Sequence, residues 1–129
     1  MKYYFEKTLT GITFDDAIEK VTEALKSEGF GVLTDIDIKA TMKKKLDVDF
    51  RPYRILGACN PPFAHQALLA ESKIGAMLPC NVIVQEKEKG KLEVSAVNPM
   101  ASMMAINNPE LIKVAEKVSN KLKRVVSKL

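Results

Sequence analysis

Two neighbouring segments near residue 90 are predicted strands, and the second shows the period-two pattern of a half-buried antiparallel strand. The first covers residues 80–85, and the second begins after Lys89 and Gly90. Apolar and polar side chains alternate in the second segment: Leu92, Glu93, Val94, Ser95 and Ala96. A glycine turn between two such segments favours a hairpin. The chain is therefore predicted to build an antiparallel sheet.

Three further strands are predicted upstream of this hairpin. Residues 2–9 and 30–36 alternate apolar and polar positions, which is typical of strands with one face on a core. Residues 53–59 are mostly apolar or small on both faces, as a central strand tends to be. The sheet should therefore contain five strands.

Helix start and stop signals lie between these strands. Thr13 with Asp16 resembles a capping box, and Gly29 ends the apolar periodicity that follows it. Asn60 is a favourable N-cap with Pro61 at the first helical position, which predicts a helix to about Ser72. A short helix is predicted over residues 38–46. The last helix is predicted to start after Asn108 and to carry an apolar stripe to Leu129.

This order of elements predicts one α+β domain over residues 1–129. We expect a β-α-β4-α arrangement in two layers, with an antiparallel sheet and a long C-terminal helix. A chain of 129 residues is long enough for one hydrophobic core. Its composition, 47% hydrophobic and 28% charged, is that of a folded protein and excludes a disordered one.

The net charge of +4 comes entirely from the C-terminal segment. Six basic and two acidic residues lie between 109 and 129, whereas the preceding 108 residues are balanced. Lysines near the end of a helix complement its dipole, and no aromatic residue is interleaved with them. We therefore expect a solvated helix face and no sequence-specific nucleic-acid binding.

The location is predicted from hydropathy and cysteine content. No stretch approaches the ~20 apolar residues of a membrane span, and the first residues do not have the pattern of a secretion signal. Cys59 and Cys80 are too few for a disulfide framework. We expect a cytoplasmic protein with free thiols and no membrane partner.

Three stretches carry a resemblance to a known family. Residues 50–62 read Phe-Arg-Pro-Tyr-Arg-Ile-Leu-Gly-Ala-Cys-Asn-Pro-Pro, residues 78–82 read Leu-Pro-Cys-Asn-Val, and residues 108–111 read Asn-Pro-Glu-Leu. The chain resembles the family called domain of unknown function 302 over essentially its whole length. The resemblance implies a TATA-box-binding-protein-like fold with a curved antiparallel sheet, and it implies no established activity.

One group of residues is a candidate site. If the third and fourth strands are antiparallel neighbours, Cys59 and Cys80 lie at the same edge of the sheet. Cys59 precedes a predicted helix N-terminus, which favours a thiolate, and His65 lies one turn into that helix. The motifs of the resembled family add three positions to the candidate ligand-binding residues: Asn60, Glu71 and Asn81.

The chemistry of this group stays open at the level of sequence. Cys59, His65 and Cys80 are too few ligands for a closed zinc site, but they fit an open three-ligand site for zinc or copper. A redox-responsive thiol pair and an anion or small-ligand pocket at the helix N-terminus are alternatives. The cysteines could equally be packed as small apolar side chains, with Asn60 only capping its helix and Asn81 only completing a turn.

Two hypotheses about function follow. The first is a non-catalytic small-ligand- or metal-binding module with a thiol site at Cys59, His65 and Cys80. No glycine-rich phosphate loop, metalloprotease motif or serine nucleophile motif is present, so the enzyme classes that these motifs mark are not expected. The second is a homodimeric interaction protein, because an open sheet leaves edges that proteins usually pair or protect.

Overall fold

The sheet is antiparallel throughout and has five strands in the order β1-β5-β4-β3-β2. The computed structural model describes residues 1–129. In chain order, the helices and strands are β1 (Tyr4–Thr10), α1 (Phe14–Ser27), β2 (Gly31–Asp37), α2 (Ile38–Leu46), β3 (Tyr53–Cys59), α3 (Pro61–Ala70), a 3₁₀ helix (Ser72–Met77), β4 (Cys80–Glu88), β5 (Lys91–Val97), α4 (Pro99–Ser102) and α5 (Pro109–Ser127). The predicted α+β class with five strands and a long last helix is confirmed.

Local sequence signals explain where the longer helices begin. Thr13 Oγ1 accepts a hydrogen bond from the Asp16 N–H at 3.1 Å, and Asn108 Oδ1 accepts from the Glu110 N–H at 3.1 Å. Both residues cap free N–H groups of a first helical turn, as predicted. Helix α3 ends at Ala70, slightly before the predicted Ser72, because Glu71 adopts an extended backbone.

One face of the sheet is covered by α1 and α5. The main core consists of apolar side chains from the middle strands and from these two helices, with Leu56, Val82, Val94, Leu25 and Leu122 at most 1% exposed. A second, smaller cluster lies beside it under α3 and α4, and contains Ala67, Ile74, Met103, Leu111 and Ala115. None of the helices combines the length and apolar character needed to traverse a lipid bilayer.

The carboxylate of Glu28 joins the end of α1 to the end of α5. Lys128 Nζ donates to Glu28 Oε2, Arg124 Nε donates to Oε1 at 3.1 Å, and Lys121 Nζ lies 3.9 Å from Oε1. The Glu28 side chain is only 11% exposed. Part of the positive charge of the C-terminal segment is therefore bound within the protein.

These contacts lower the pKa of Glu28 below its ordinary value of 4.5. The hydrogen bond from Lys128 is the largest cause, and the hydrogen bond and charge of Arg124 act in the same direction, whereas burial opposes them. A lowered pKa in the folded state means that the ionised carboxylate stabilises the fold above the unfolded-state pKa. That stabilisation is lost as the pH falls through the folded-state pKa.

We expect Glu28→Gln to lower the free energy of unfolding by about 1 kcal/mol at pH 7, because three cations lose their shared partner. Urea denaturation from pH 7 down to pH 3 measures this difference, which should shrink as the pH falls through the folded-state pKa of Glu28. Glu23→Gln is the matched control, since Glu23 pairs only with Lys26 at 3.6 Å and both side chains are mostly exposed. Equal losses in the two variants, or a loss that does not depend on pH, would contradict the interpretation.

Candidate functional site

A cavity of about 300 Å³ lies where the two hydrophobic clusters meet, between the end of the sheet and helices α3 and α5. Fourteen of its 17 lining residues are hydrophobic. The strands and their connections contribute one side: Phe30, Leu33, Ala58, Cys59, Leu78, Pro79 and Cys80. No lining residue carries a charge. The cavity therefore offers an apolar environment.

Helix α3 forms one wall of this cavity. The residues that line it recur at three- and four-residue spacing: Phe63, Ala64, Ala67 and Leu68. Residues at this spacing share one face of a helix. The apolar periodicity of residues 63–70 predicts these four, together with Ala70, as the apolar side of α3, and Ala70 does not line the cavity. Two of them are alanines, whose short side chains leave space that larger residues would fill.

Helices α4 and α5 form the opposite wall. Pro99 and Met103 contribute from the α4 segment, and Val114, Ala115 and Val118 contribute from α5. Asn98 holds the two helices together, because its Oδ1 accepts hydrogen bonds from the Met100 N–H at 3.1 Å and from Ser119 Oγ at 2.7 Å. Both Asn98 and Ser119 are buried. This polar contact fixes the wall that α4 supplies.

The approach of Pro79 to the sheet depends on Gly57. A Cβ atom at position 57 would overlap Thr34 Oγ1 and would lie 2.7 Å from Pro79 Cγ. Gly57 is thus the residue type that lets Thr34 and Pro79 meet over β3. Pro79 precedes Cys80, so Gly57 accommodates the residue that leads into β4 at the cavity.

The structure brings Cys59 and Cys80 to the same cavity, where both are free thiols. Ala58 is the register partner of Cys80, so Cys59 is one residue beyond the pair. Cys80 is 8% exposed, and burial raises its pKa to about 11, with a further contribution from the charge of Cys59. Cys59 is only partly buried. The two thiols therefore differ in how readily they meet solvent.

Asn60 also lines the cavity and is 8% exposed, but it does not cap α3 as predicted. Its Nδ2 group instead donates to the Glu28 carbonyl oxygen at 3.1 Å. The C-terminal carbonyl groups of a helix lack partners within the helix, so the amide of the residue that follows β3 satisfies one at the end of α1. Asn60 occupies the predicted N-cap position of α3, but its side chain makes no capping hydrogen bond, because its amide binds this tertiary partner instead.

The N-terminus of α3 has few N–H groups for an anion. Pro61 and Pro62 have none, and the Ala64 N–H donates to the Asn60 carbonyl oxygen at 2.9 Å. No cationic side chain lines the cavity. The anion-binding alternative is therefore not favoured by this geometry.

The remaining predicted site residues lie away from the cavity. His65 is exposed on α3, since it is one residue, or about 100° of helical rotation, beyond the inward-facing Ala64. Glu71 is half-buried at the end of α3 and does not line the cavity. Asn81 is exposed on the other face of the sheet, where it lines a groove with Tyr3 and Tyr53, because neighbouring strand residues point to opposite faces.

The three-ligand zinc or copper site predicted at Cys59, His65 and Cys80 is not formed. No three His, Cys, Asp or Glu side chains are grouped so that they could hold a metal ion. The helical position of His65 is the physical reason, since it turns away from the two thiols. These residues do not fit a metal centre in this fold.

Sequence reasoning missed the contribution of segments far from the cysteines. Phe30, Leu33, Pro99 and Met103 line the cavity but belong to strand, short-helix or connecting segments with no motif of their own. The apolar stripe of α5 was the available signal. This stripe is longer than the face of the sheet on which α5 packs, so some of its apolar residues have to contact other helices.

The comparisons with known proteins agree on one family. The family model described as "Domain of unknown function DUF302" matches residues 5–129. The crystal structure of an uncharacterized conserved protein DUF302 from Bacillus stearothermophilus is similar over 99% of this chain and 98% of that chain, with a TM-score of 0.89 and 27% sequence identity.

A relative from Aquifex aeolicus strain VF5, described as an uncharacterized protein, is 26% identical over 97 residues. The match covers 75% of this chain and 61% of the relative, so the chain spans about three fifths of that protein's length. The match of the family model over nearly every residue, together with the common fold, shows that the chain belongs to the DUF302 family.

Proposed function

We propose that this chain is a binding module for an uncharged, largely apolar small molecule, held in the cavity between α3, α5 and the end of the sheet. The observation that carries the proposal is the half-open space itself, about 300 Å³ with 14 hydrophobic residues among 17. Ligand sites are typically concave, mostly apolar and of at least this size. Close-packed protein interiors rarely leave such a space between helices.

The polarity of the cavity selects the kind of molecule. A charged ligand would lose its hydration without gaining a partner, because no charged side chain lines the cavity. A hydrocarbon surface gains roughly 25 cal/mol for each Å² removed from water. A two-ring ligand that buries ~200 Å² would gain ~5 kcal/mol before the entropy of association is subtracted, so its dissociation constant should be roughly 0.2 mM or weaker.

The thiol part of the proposal centres on Cys59. Cys59 lines the same cavity and is only partly buried, whereas Cys80 is enclosed. In this proposal Cys59 is the thiol that solutes and oxidants reach first, and a bound ligand shields it. The reactivity of Cys59 then reports whether the cavity is occupied.

We expect Ala64→Phe to weaken binding of the neutral fluorescent probe N-phenyl-1-naphthylamine at least tenfold, because the ring fills the cavity. Probe titration followed by fluorescence measures the affinity. Ala40→Phe is the matched control, since Ala40 is an exposed alanine on α2, away from the cavity. Thermal melting checks that both variants fold. Undiminished binding to Ala64→Phe, or no binding to the unmodified chain, would refute the proposed function.

We also expect iodoacetamide at pH 7.5 to alkylate Cys59 well before Cys80. With a pKa of about 11, Cys80 is a thiolate in roughly one molecule in three thousand at that pH, and burial slows access further. Mass spectrometry of Cys59→Ala and Cys80→Ala gives the separate rates. Saturating probe should slow alkylation of Cys59. Equal rates, or no labelling of either thiol before unfolding, would count against an accessible thiol at the cavity.

A second candidate function is homodimerisation through the surface around the cavity mouth. Leu33 on the edge strand β2 is 68% exposed, and Leu68 and Leu69 on α3 are 44% and 76% exposed. Leu33 and Leu68 also line the cavity, so these leucines belong to one region. Exposed apolar clusters of this kind are typical of protein interfaces.

If this surface pairs two chains, light scattering at about 50 µM, a concentration at which a micromolar dimer is mostly assembled, should give twice the chain mass of 14.3 kDa. Leu69→Lys should return the monomer mass, because a lysine at the contact would have to be desolvated. Leu46→Lys is the control, since Leu46 is 65% exposed on α2. A monomer mass for the unmodified chain at this concentration would exclude the dimer.

A further inference from the structure

Asn60 is the one buried side-chain amide that lines the cavity. The residue is more than nine-tenths buried, and its Nδ2 group is bound to the Glu28 carbonyl oxygen. No side chain or backbone group donates a hydrogen bond to its Oδ1 atom. Every fully buried side-chain nitrogen or oxygen in the chain has a hydrogen-bond partner. Because Oδ1 has no such partner, it is not fully buried, and a neighbouring molecule can reach it. The cavity is the space that this buried residue borders.

The orientation of the amide is set by its neighbours. Turning the amide over would bring Oδ1 against the Glu28 carbonyl oxygen, and two acceptors repel. The nitrogen side faces Gly29, since a Cβ atom built at Gly29 would lie 3.2 Å from Nδ2 and 3.8 Å from Oδ1. Asn60 therefore presents its carbonyl oxygen, rather than its NH₂ group, to a neighbouring molecule.

Few other groups in the cavity can direct a polar ligand. The remaining lining residues are apolar side chains, two prolines and two thiols, and thiols hydrogen-bond weakly. A ligand that lacks a hydrogen-bond donor would cover Oδ1 and leave this acceptor without a partner, which costs free energy. The site therefore binds such ligands more weakly than ligands that carry a donor. A carboxylate is disfavoured twice, since it loses its hydration and meets the negative end of the Asn60 carbonyl.

From these contacts we infer that the ligand is an uncharged molecule with a hydrocarbon body and one hydroxyl or N–H group, and that this donor binds Asn60 Oδ1. The inference rests on the proposed function and names the ligand class for the same cavity. Phenols, apolar alcohols and N–H heterocycles of about two rings belong to this class. Matching ethers and carboxylates do not.

Three naphthalenes of similar size test the inference: 2-naphthol, 2-methoxynaphthalene and 2-naphthoate. Each is titrated against the complex of the full chain with N-phenyl-1-naphthylamine, and displacement of the probe gives the affinity. We expect 2-naphthol to bind roughly tenfold more tightly than the ether, because only the hydroxyl satisfies Asn60 Oδ1. We expect 2-naphthoate to bind more weakly than both.

Two variants locate the effect. Asn60→Ala should bring the ratio of naphthol to ether affinity close to one, whereas Asn81→Ala should leave it unchanged, because Asn81 lies on the other face of the sheet. If Asn60→Ala does not fold, the ratio in the unmodified chain still decides. Equal affinities for naphthol and ether, or preference for the carboxylate, would overturn the inference while the proposed function stands. Failure of the probe and all three compounds to bind would overturn both.

Discussion

Exclusion of water from one face of the sheet is the constraint on which the other features depend. Leu56, Val82 and Val94 project from the middle strands and pack against Leu25 of α1 and Leu122 of α5. Fully burying a side chain of this size contributes roughly 1.5–3 kcal/mol, so this layer dominates the favourable free energy of folding. The contact of α1 with α5 follows from it, because both helices have to cover the same face.

The cavity lies where this layer ends. Beyond the last register pair of β3 and β4, these two strands supply only the side chain of Cys59, and α3, α4 and α5 pack on one another through a separate cluster. Alanines at positions 58, 64, 67 and 115 border the space between the two clusters. Small residues at four facing positions leave an opening that helix packing alone does not close. The cavity is thus a result of side-chain size at a junction of two cores.

The sequence was informative where structure depends on neighbours along the chain. The strand at residues 53–59, the caps at Thr13 and Asn108, and the apolar side of α3 could all be predicted from local patterns. The partner of Asn60 could not, because Glu28 is 32 residues away and backbone carbonyls carry no sequence signal. His65 was placed at the site by its proximity to the start of α3, and Asn81 by the motifs of the resembled family. Helical rotation, applied residue by residue, would have turned His65 away from the cavity, and strand alternation would have separated Asn81 from Cys80.

Thr34 and Pro79 both approach Gly57 so closely that no space is left for a Cβ atom at position 57. Thr34 belongs to an edge strand and is exposed, so its side chain can shorten without opening the core, whereas Pro79 adjoins Cys80 at the cavity. A larger residue at position 57 would therefore need a smaller residue at position 34 and a change at Pro79 as well. Divergence within the family should couple the sizes of the residues at positions 34, 57 and 79, and a chain in which they have changed together can retain the same cavity. The combined side-chain volume at these positions thus indicates whether a relative has kept this cavity.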